Sequence, residues 1–160
     1  MKSPSLKALA AGIAALVACS LHAQEITLKV SHFWAPGAMA PTKIIGPWCD
    51  KVNKESGGKL KCQIYPAMQL GGTPAQLIDQ GKDGIADIVY TLPGYTAGRF
   101  PLMEVFELPF MNLNAESSSQ AVWDYYLTTP AVQKEFTGIK PLAFHVHDEG
   151  FVHTKDKQIK

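Results

Sequence analysis

In "EITLKVSH", the stretch from Glu25 to His32, the apolar residues Ile26, Leu28 and Val30 alternate with Thr27, Lys29 and Ser31. A period of two predicts a strand with one buried face. "FWAPGAMAP" interrupts the alternation, and Pro41 stands at the first position of a predicted helix through "TKIIGPWCDKVNKES". Ile44, Ile45, Trp48 and Val52 recur there at helical spacing, and Gly57-Gly58 closes the helix. "KLKCQIY" alternates again, with Leu60, Cys62 and Ile64 on one side, and predicts a second strand. Thr73 and Pro74 suit the cap and first turn of a second helix over "PAQLIDQGKDG", and "IADIVYTL" supplies a third, strongly apolar strand. Strand, helix, strand, helix, strand is the order of an α/β domain with a mostly parallel sheet flanked by helices.

"PGYTAGRFPLMEVFELPFMNLN" is too rich in Pro and Gly for a regular element and too apolar for a solvated loop, so an ordered crossing segment packed on the core is expected. Asn114 or the nearby serines start a helix through "AESSSQAVWDYYLT", with Ala121, Val122 and Tyr125 on one side. "TPAVQKEFTG" predicts a further helix capped by Thr129 with Pro130 at its first position. "IKPLAFHVHDEGFVHT" returns to extended structure, Leu142, Phe144 and Val146 alternating with Ala143, His145 and His147, and "KDKQIK" is polar. The chain has no internal repeat and no low-complexity tract.

Composition changes the picture at the N-terminus. Lys2 and Lys7, the apolar run "ALAAGIAALVACSL" and a small residue at Ala23 predict a secretory signal over residues 1–23. The run is shorter than the ~20 residues that span a bilayer. "LVAC" at Leu16 to Cys19 also resembles a lipoprotein cleavage box, which would leave Cys19 lipidated. Without Lys2 and Lys7 the 15 basic residues become 13, against 14 acidic ones that all follow the signal, for a net charge of −1. That balance leaves no basic footprint for nucleic acid. Export favours disulfides, so Cys49 and Cys62 are either bridged or two buried thiols. Their spacing fits no redox or zinc motif. A chain of 160 residues, 46% hydrophobic and 18% charged, suffices for one globular domain.

The candidate chemistry is sparse. "QLGGTP" lacks the lysine of a nucleoside-triphosphate loop, and its glycine pair follows the second strand rather than the first, against a dinucleotide fingerprint. What remains at Gly72 and Thr73 is a turn, or a helix start whose amides hold a carboxylate. In open α/β sheets ligands sit beyond the carboxyl ends of the strands. Phe33, Trp34 and Tyr95, in loops after the first and third strands, are therefore either cleft residues or core. No Ser/His/Asp or Cys/His arrangement for covalent catalysis is visible. His145, His147, Asp148, Glu149 and His153 are metal-ligand types at close spacing, or else solvated side chains at a hinge.

Four stretches in order, "SGGKLKCQIYPAMQLGG", "DQGKDGIADIV", "FPLMEVFELPF" and "GIKPLAFHVHDEGF", resemble the extracytoplasmic solute-binding subunits of tripartite ATP-independent periplasmic (TRAP) transporters, the dicarboxylate-binding-protein-like family. The resemblance implies a periplasmic-binding-protein-like α/β fold of the class II type, in which residues 24–147 form a first lobe. Residues 148–160 would open a hinge strand and an incomplete second lobe, making the chain an N-terminal fragment. It also implies ligand positions at Phe33, Gly72, Thr73, Tyr95 and Phe151, to which the loop reading adds Trp34, with the solute-gripping arginine beyond Lys160 and distinct from Arg99. The expected function is a periplasmic, monomeric binding module without catalysis, cofactor or resident metal. It captures a small organic acid and delivers it to integral membrane permease subunits. The aromatic or small character of these positions points to a monocarboxylate with an apolar or aromatic body. The alternatives are a binding protein for an ATP-driven importer or a sensor, a secreted hydrolase, and a metal-storing module.

Overall fold

The computed structural model describes residues 25–148 and 154–156. The predicted leader, with Cys19, and Phe151 lie outside them. Strand β1 (Ile26–His32) occupies the centre of a three-stranded parallel sheet ordered β2-β1-β3, with β2 at Leu60–Tyr65 and β3 at Ile88–Tyr90. β1 pairs with β2 from Ile26↔Leu60 to Ser31↔Tyr65 and with β3 from Val30↔Ile88 to His32↔Tyr90. β3 is shorter than "IADIVYTL" predicts: Asp87 precedes it, its N–H donating to Lys29 O while its carboxylate accepts from Lys29 N at 2.8 Å. A side chain replaces a ladder bond there, and Ile85 is left half exposed. Burial of β1 is confined to its carboxyl half, Val30 to His32, although the alternation begins at Ile26.

The order β2-β1-β3 makes the second crossover run opposite to the first, so right-handed connections put their helices on opposite faces. On one face helix α1 (Gly46–Glu55) packs Ile45 and Cys49 against Val30, with Cys62, Ile64, Ile88 and Tyr90 around them. On the other lies helix α2 (Leu77–Lys82). There the Ser31 hydroxyl donates to Gln80 Oε1 at 3.2 Å, and a Cβ on Gly81 would meet Val89 at 3.4 Å.

A wide helical turn, Ala40–Ile45, leads into α1. Pro47 has no N–H to offer the carbonyl four residues back. The Gly46 N–H bonds Pro41 O instead, one residue wider than an α-turn. The extra residue rotates the stripe: Ile45 and Cys49 are buried, whereas Ile44 and Trp48, expected on the same face, are partly exposed. The helix ends as its glycines predict. Gly57 and Gly58 hold φ of 64° and 79°, and Gly58 N donates to Asn53 O.

The crossing segment contributes Phe100 and Met103 to a second apolar cluster with Ile78 of α2. Val122 of helix α3 (Ala115–Thr128), Val132 of helix α4 (Pro130–Glu135) and Phe136 complete it. Glu135 holds the segment there by accepting from Leu102 N at 2.8 Å. Its second half departs from expectation. Phe110 takes a φ of 66°, and Leu108, Phe110, Met111 and Leu113 are exposed rather than packed. Asn114 caps α3, its side chain accepting from Ser117 N at 2.9 Å. Thr129 does not cap α4 with its hydroxyl; its carbonyl accepts from Val132 N and Gln133 N. On α3 the buried residues are Ser118 and Val122, while Ala121 is exposed. Residues 141–148 run without a sheet partner among the described residues, alternating all the same: Phe144 and Val146 pack on the second cluster, Leu142 is exposed.

Cys49 and Cys62 are joined in a disulfide with Cα atoms 5.7 Å apart, tying α1 to β2. Closing a loop across a sequence separation of 13 restricts the unfolded chain and is worth about 3 kcal/mol in the chain-entropy account. Urea unfolding of the full-length protein with and without reductant should show that loss as a lower midpoint, with a steeper transition slope because the reduced unfolded chain exposes more surface.

Candidate functional site

Two loops leave the carboxyl ends of the sheet side by side, one after β1 and one after β3. β1 is also where the strand order reverses, since β2 lies on one side of it and β3 on the other. That crevice is the general ligand position in open α/β sheets. Aromatic rings fill it. Phe33 stacks on Trp34 at 3.8 Å between centroids and meets Tyr95 edge-on at 5.1 Å, and Trp34 meets Tyr90 edge-on at 4.6 Å. Tyr90 in turn lies 5.5 Å from His145, and its hydroxyl hydrogen-bonds His145 Nε2. The structure thus brings together Phe33, Trp34 and Tyr95 and adds two residues that sequence reasoning does not place there. In the sequence Tyr90 belongs to an apolar strand, and His145 falls among potential metal ligands. Register supplies the missing signal: aligning β1 and β3 by their carboxyl ends puts Tyr90 opposite His32, one and two residues from Phe33 and Trp34.

The glycine loop supports this arrangement from beneath. Ala67 N donates to Trp34 O at 2.9 Å and Met68 N to His32 O at 3.1 Å, which fixes the backbone bearing the rings. Both donors sit in the left-handed region, with φ of 49° and 58°. Non-glycine residues hold that conformation only where surrounding bonds enforce it. Gly72, at φ 76°, lies so close to Gln76 that a Cβ would come within 2.9 Å of its Oε1. That oxygen accepts from Thr73 N at 2.9 Å and from the Thr73 hydroxyl at 3.3 Å. Gln80 joins loop to strand, donating to Gly71 O at 2.8 Å while accepting from Ser31. Gly72 therefore lines a separate cavity of about 230 Å³ with Leu70, Gln76 and Gln80, and the Thr73 hydroxyl is engaged locally. The short turn Pro74–Gln76 still lies beside the turn Pro93–Thr96 that carries Tyr95.

Next to the rings opens a cavity of about 850 Å³, whose wall includes Tyr95, Phe106, Glu107, Phe144, His145 and Asp148. At its rim the Glu107 carboxylate lies over Gly94, where a Cβ would make that side chain move aside. Arg99, the sole arginine of the sequence, takes no part. Its guanidinium binds the Asp79 carboxylate at 2.6 Å and lies over the Phe100 ring. That hydrogen bond holds the Asp79 carboxyl below its usual pKa. His147 Nδ1 donates to the neighbouring Asp148 carbonyl, and the Asp148 carboxylate accepts from Ala115 N at 2.8 Å, at the positive end of α3. Among the described residues no group of three His, Cys, Asp or Glu is gathered to hold a metal. Glu149 and His153 lie outside them. Among the described residues, too, no helix is long and apolar enough to cross a membrane.

Fold and groove together have the form of a solute-binding domain. Residues 30–160 match the family of bacterial extracellular solute-binding proteins, family 7 (DctP), and the chain belongs to it. It is 55% identical to a TRAP solute-binding protein from Rhodoferax ferrireducens T118 whose crystal structure holds copurified benzoate, with a TM-score of 0.79. The match covers 84% of this chain and 41% of that one. It is 48% identical, with a TM-score of 0.81, to a marine metagenome TRAP solute-binding protein specific for aromatic acid ligands, solved with 3-hydroxybenzoate, over 86% of this chain and 42% of that one. The outer membrane transporter protein TsaT of Comamonas testosteroni is 33% identical over 141 residues, 88% of this chain and 41% of that protein. The chain thus spans about two fifths of the length of the relatives it matches.

Beneath the rings, His32 is wholly buried, and neither ring nitrogen has a hydrogen-bond partner among the described residues. Desolvation holds its pKa below the ordinary 6.5. His145 is shifted the same way, by desolvation and then by the charge of His147. A depressed histidine favours the native state fully above the unfolded pKa; that share is lost as pH falls through 6.5 towards the folded value, because the unfolded chain takes up the proton first. The melting temperature of the full-length protein should therefore fall between pH 7 and pH 5. His32→Leu should make that slope shallower, and thermal unfolding of the two proteins across this range checks it.

Proposed function

We propose that the full-length protein is the extracytoplasmic solute-binding subunit of a TRAP transporter, and that residues 24–147 form the first of its two lobes. The leader directs export to the periplasm, and residues 148–160 open the hinge towards a second lobe. The subunit is a monomer that performs no catalysis, captures an aromatic monocarboxylate and passes it to membrane permease subunits. The carrying observation is the uncharged aromatic groove of Phe33, Trp34, Tyr90 and Tyr95 at the strand-order reversal. Rings offer a flat apolar solute stacking and edge contacts worth about 0.5–1.5 kcal/mol per pair beyond burial. Benzoate and 3-hydroxybenzoate in the two solved relatives support this solute class.

The acid group of the solute faces away from this lobe. Arg99 is committed to Asp79, and the cavity beside the groove carries the carboxylates of Glu107 and Asp148. The carboxylate is therefore held by the opposite lobe, at an arginine fork suited to bidentate pairing. Lobe closure about the hinge then excludes water from the stacked ring. Membership of family 7 favours this reading over a subunit of an ATP-driven importer.

Calorimetric titration of the full-length protein should show benzoate binding at least tenfold tighter than succinate. Phe33→Ala should weaken benzoate about tenfold through lost stacking. A preference for the dicarboxylate would overturn the assignment of solute class.

A further inference from the structure

Tyr90 and His145 differ from the other rings of the groove in carrying polar atoms that meet each other, the Tyr90 hydroxyl on His145 Nε2. They lie 55 residues apart in the sequence and meet at the wall of the 850 Å³ cavity. Tyr90 touches Trp34 on the groove side, while His145 lines the 850 Å³ cavity together with Tyr95. A solute ring seated in that cavity against Tyr95 therefore has one edge available to His145 and, through its bond, to Tyr90. A phenol and an imidazole each offer both a donor and an acceptor. The carboxylates of Glu107 and Asp148, in the wall of the same cavity, disfavour a second negative charge at that edge but not a neutral hydroxyl.

Resting on the solute class argued above, we propose that the Tyr90–His145 pair is a specificity handle that selects ring-hydroxylated aromatic monocarboxylates over unsubstituted ones. A hydroxyl on the ring edge joins the existing bond as a third member, donating to one partner or accepting from the other. The unsubstituted acid leaves the pair facing an apolar C–H edge. A site built to hydrogen-bond a hydroxyl discriminates against the analogue that lacks it, because its own polar groups lose a partner. Hydrogen bonds to helix α3 hold the segment bearing His145 in place. Val146 N donates to the Ser119 hydroxyl at 2.9 Å, and the Asp148 carboxylate accepts from Ala115 N.

The test is calorimetric titration of the full-length protein, its Tyr90→Phe variant and its His145→Gln variant with benzoate and 3-hydroxybenzoate, each protein first checked for a cooperative thermal transition. The quantity read is the ratio of the two affinities. The unaltered protein should favour 3-hydroxybenzoate about tenfold, and each variant should reduce that ratio about five- to tenfold. Because His145 is exposed, its variant folds even where the Tyr90 change disturbs the strand end. A ratio unchanged in both variants, or no preference in the unaltered protein, overturns the handle while leaving the aromatic-acid reading intact. Binding of neither acid by the unaltered protein overturns both.

Discussion

The backbone ladder of β1 with neighbours on both sides is the constraint on which the remaining structure depends. A strand paired on one side only would place the following loop at an open edge, whereas the central strand delivers Phe33 and Trp34 into a crevice. The parallel register then brings the end of β3 beside it, with Tyr90 opposite His32. A helix packs on each face, and burial of β1 is concentrated at its carboxyl end, Val30 to His32, next to the ring-bearing loop. In open α/β sheets the carboxyl ends of the strands are the general place where side chains meet a small molecule.

Around that ladder the polar interior is small and almost wholly committed. Ser31, Gln80 and the Gly71 carbonyl form a chain of two bonds that locks the glycine loop to the strand. The left-handed Ala67 and Met68 are tolerated because their amides are spent on the carbonyls of Trp34 and His32. The exceptions among the described residues are the ring nitrogens of His32, the Thr91 hydroxyl and the Asn112 side-chain oxygen, all buried without a hydrogen-bond partner. His32 is the last residue of β1, immediately before the ring-bearing loop.

Much of this is legible in the sequence. Alternation locates β1 and β2, the glycine pair locates the end of α1, and Asn114 announces α3. Phe33, Trp34 and Tyr95 are legible as neighbours because loops at the carboxyl ends of parallel strands converge. Other features are hidden for definite reasons. Pro47 rephases the first helix, so that the buried stripe is Ile45 and Cys49 rather than one that includes Ile44 and Trp48. Asp87 shortens β3 by bonding the backbone of Lys29 with its side chain. Tyr90 escapes notice because an apolar strand gives no sign of which end reaches the crevice until its register is known. His145 escapes because a histidine pair two residues apart suggests a chelate, whereas its actual partner lies 55 residues away. Gly72 and Thr73 have Gln76 rather than the rings as their immediate neighbour.

Residues 144–148 have no sheet partner among the described residues, yet they keep a two-residue beat. Phe144 and Val146 face the helices, Asp148 fastens to the start of α3, and His145 bonds Tyr90. Nothing but that parity distinguishes the moored side from the free one. A deletion or insertion of a single residue here would exchange the two, thrusting an imidazole among the phenyl rings of the core and casting a hydrophobic side chain into the position beside Tyr90. This short run consequently tolerates exchange of residues far better than any change in their number.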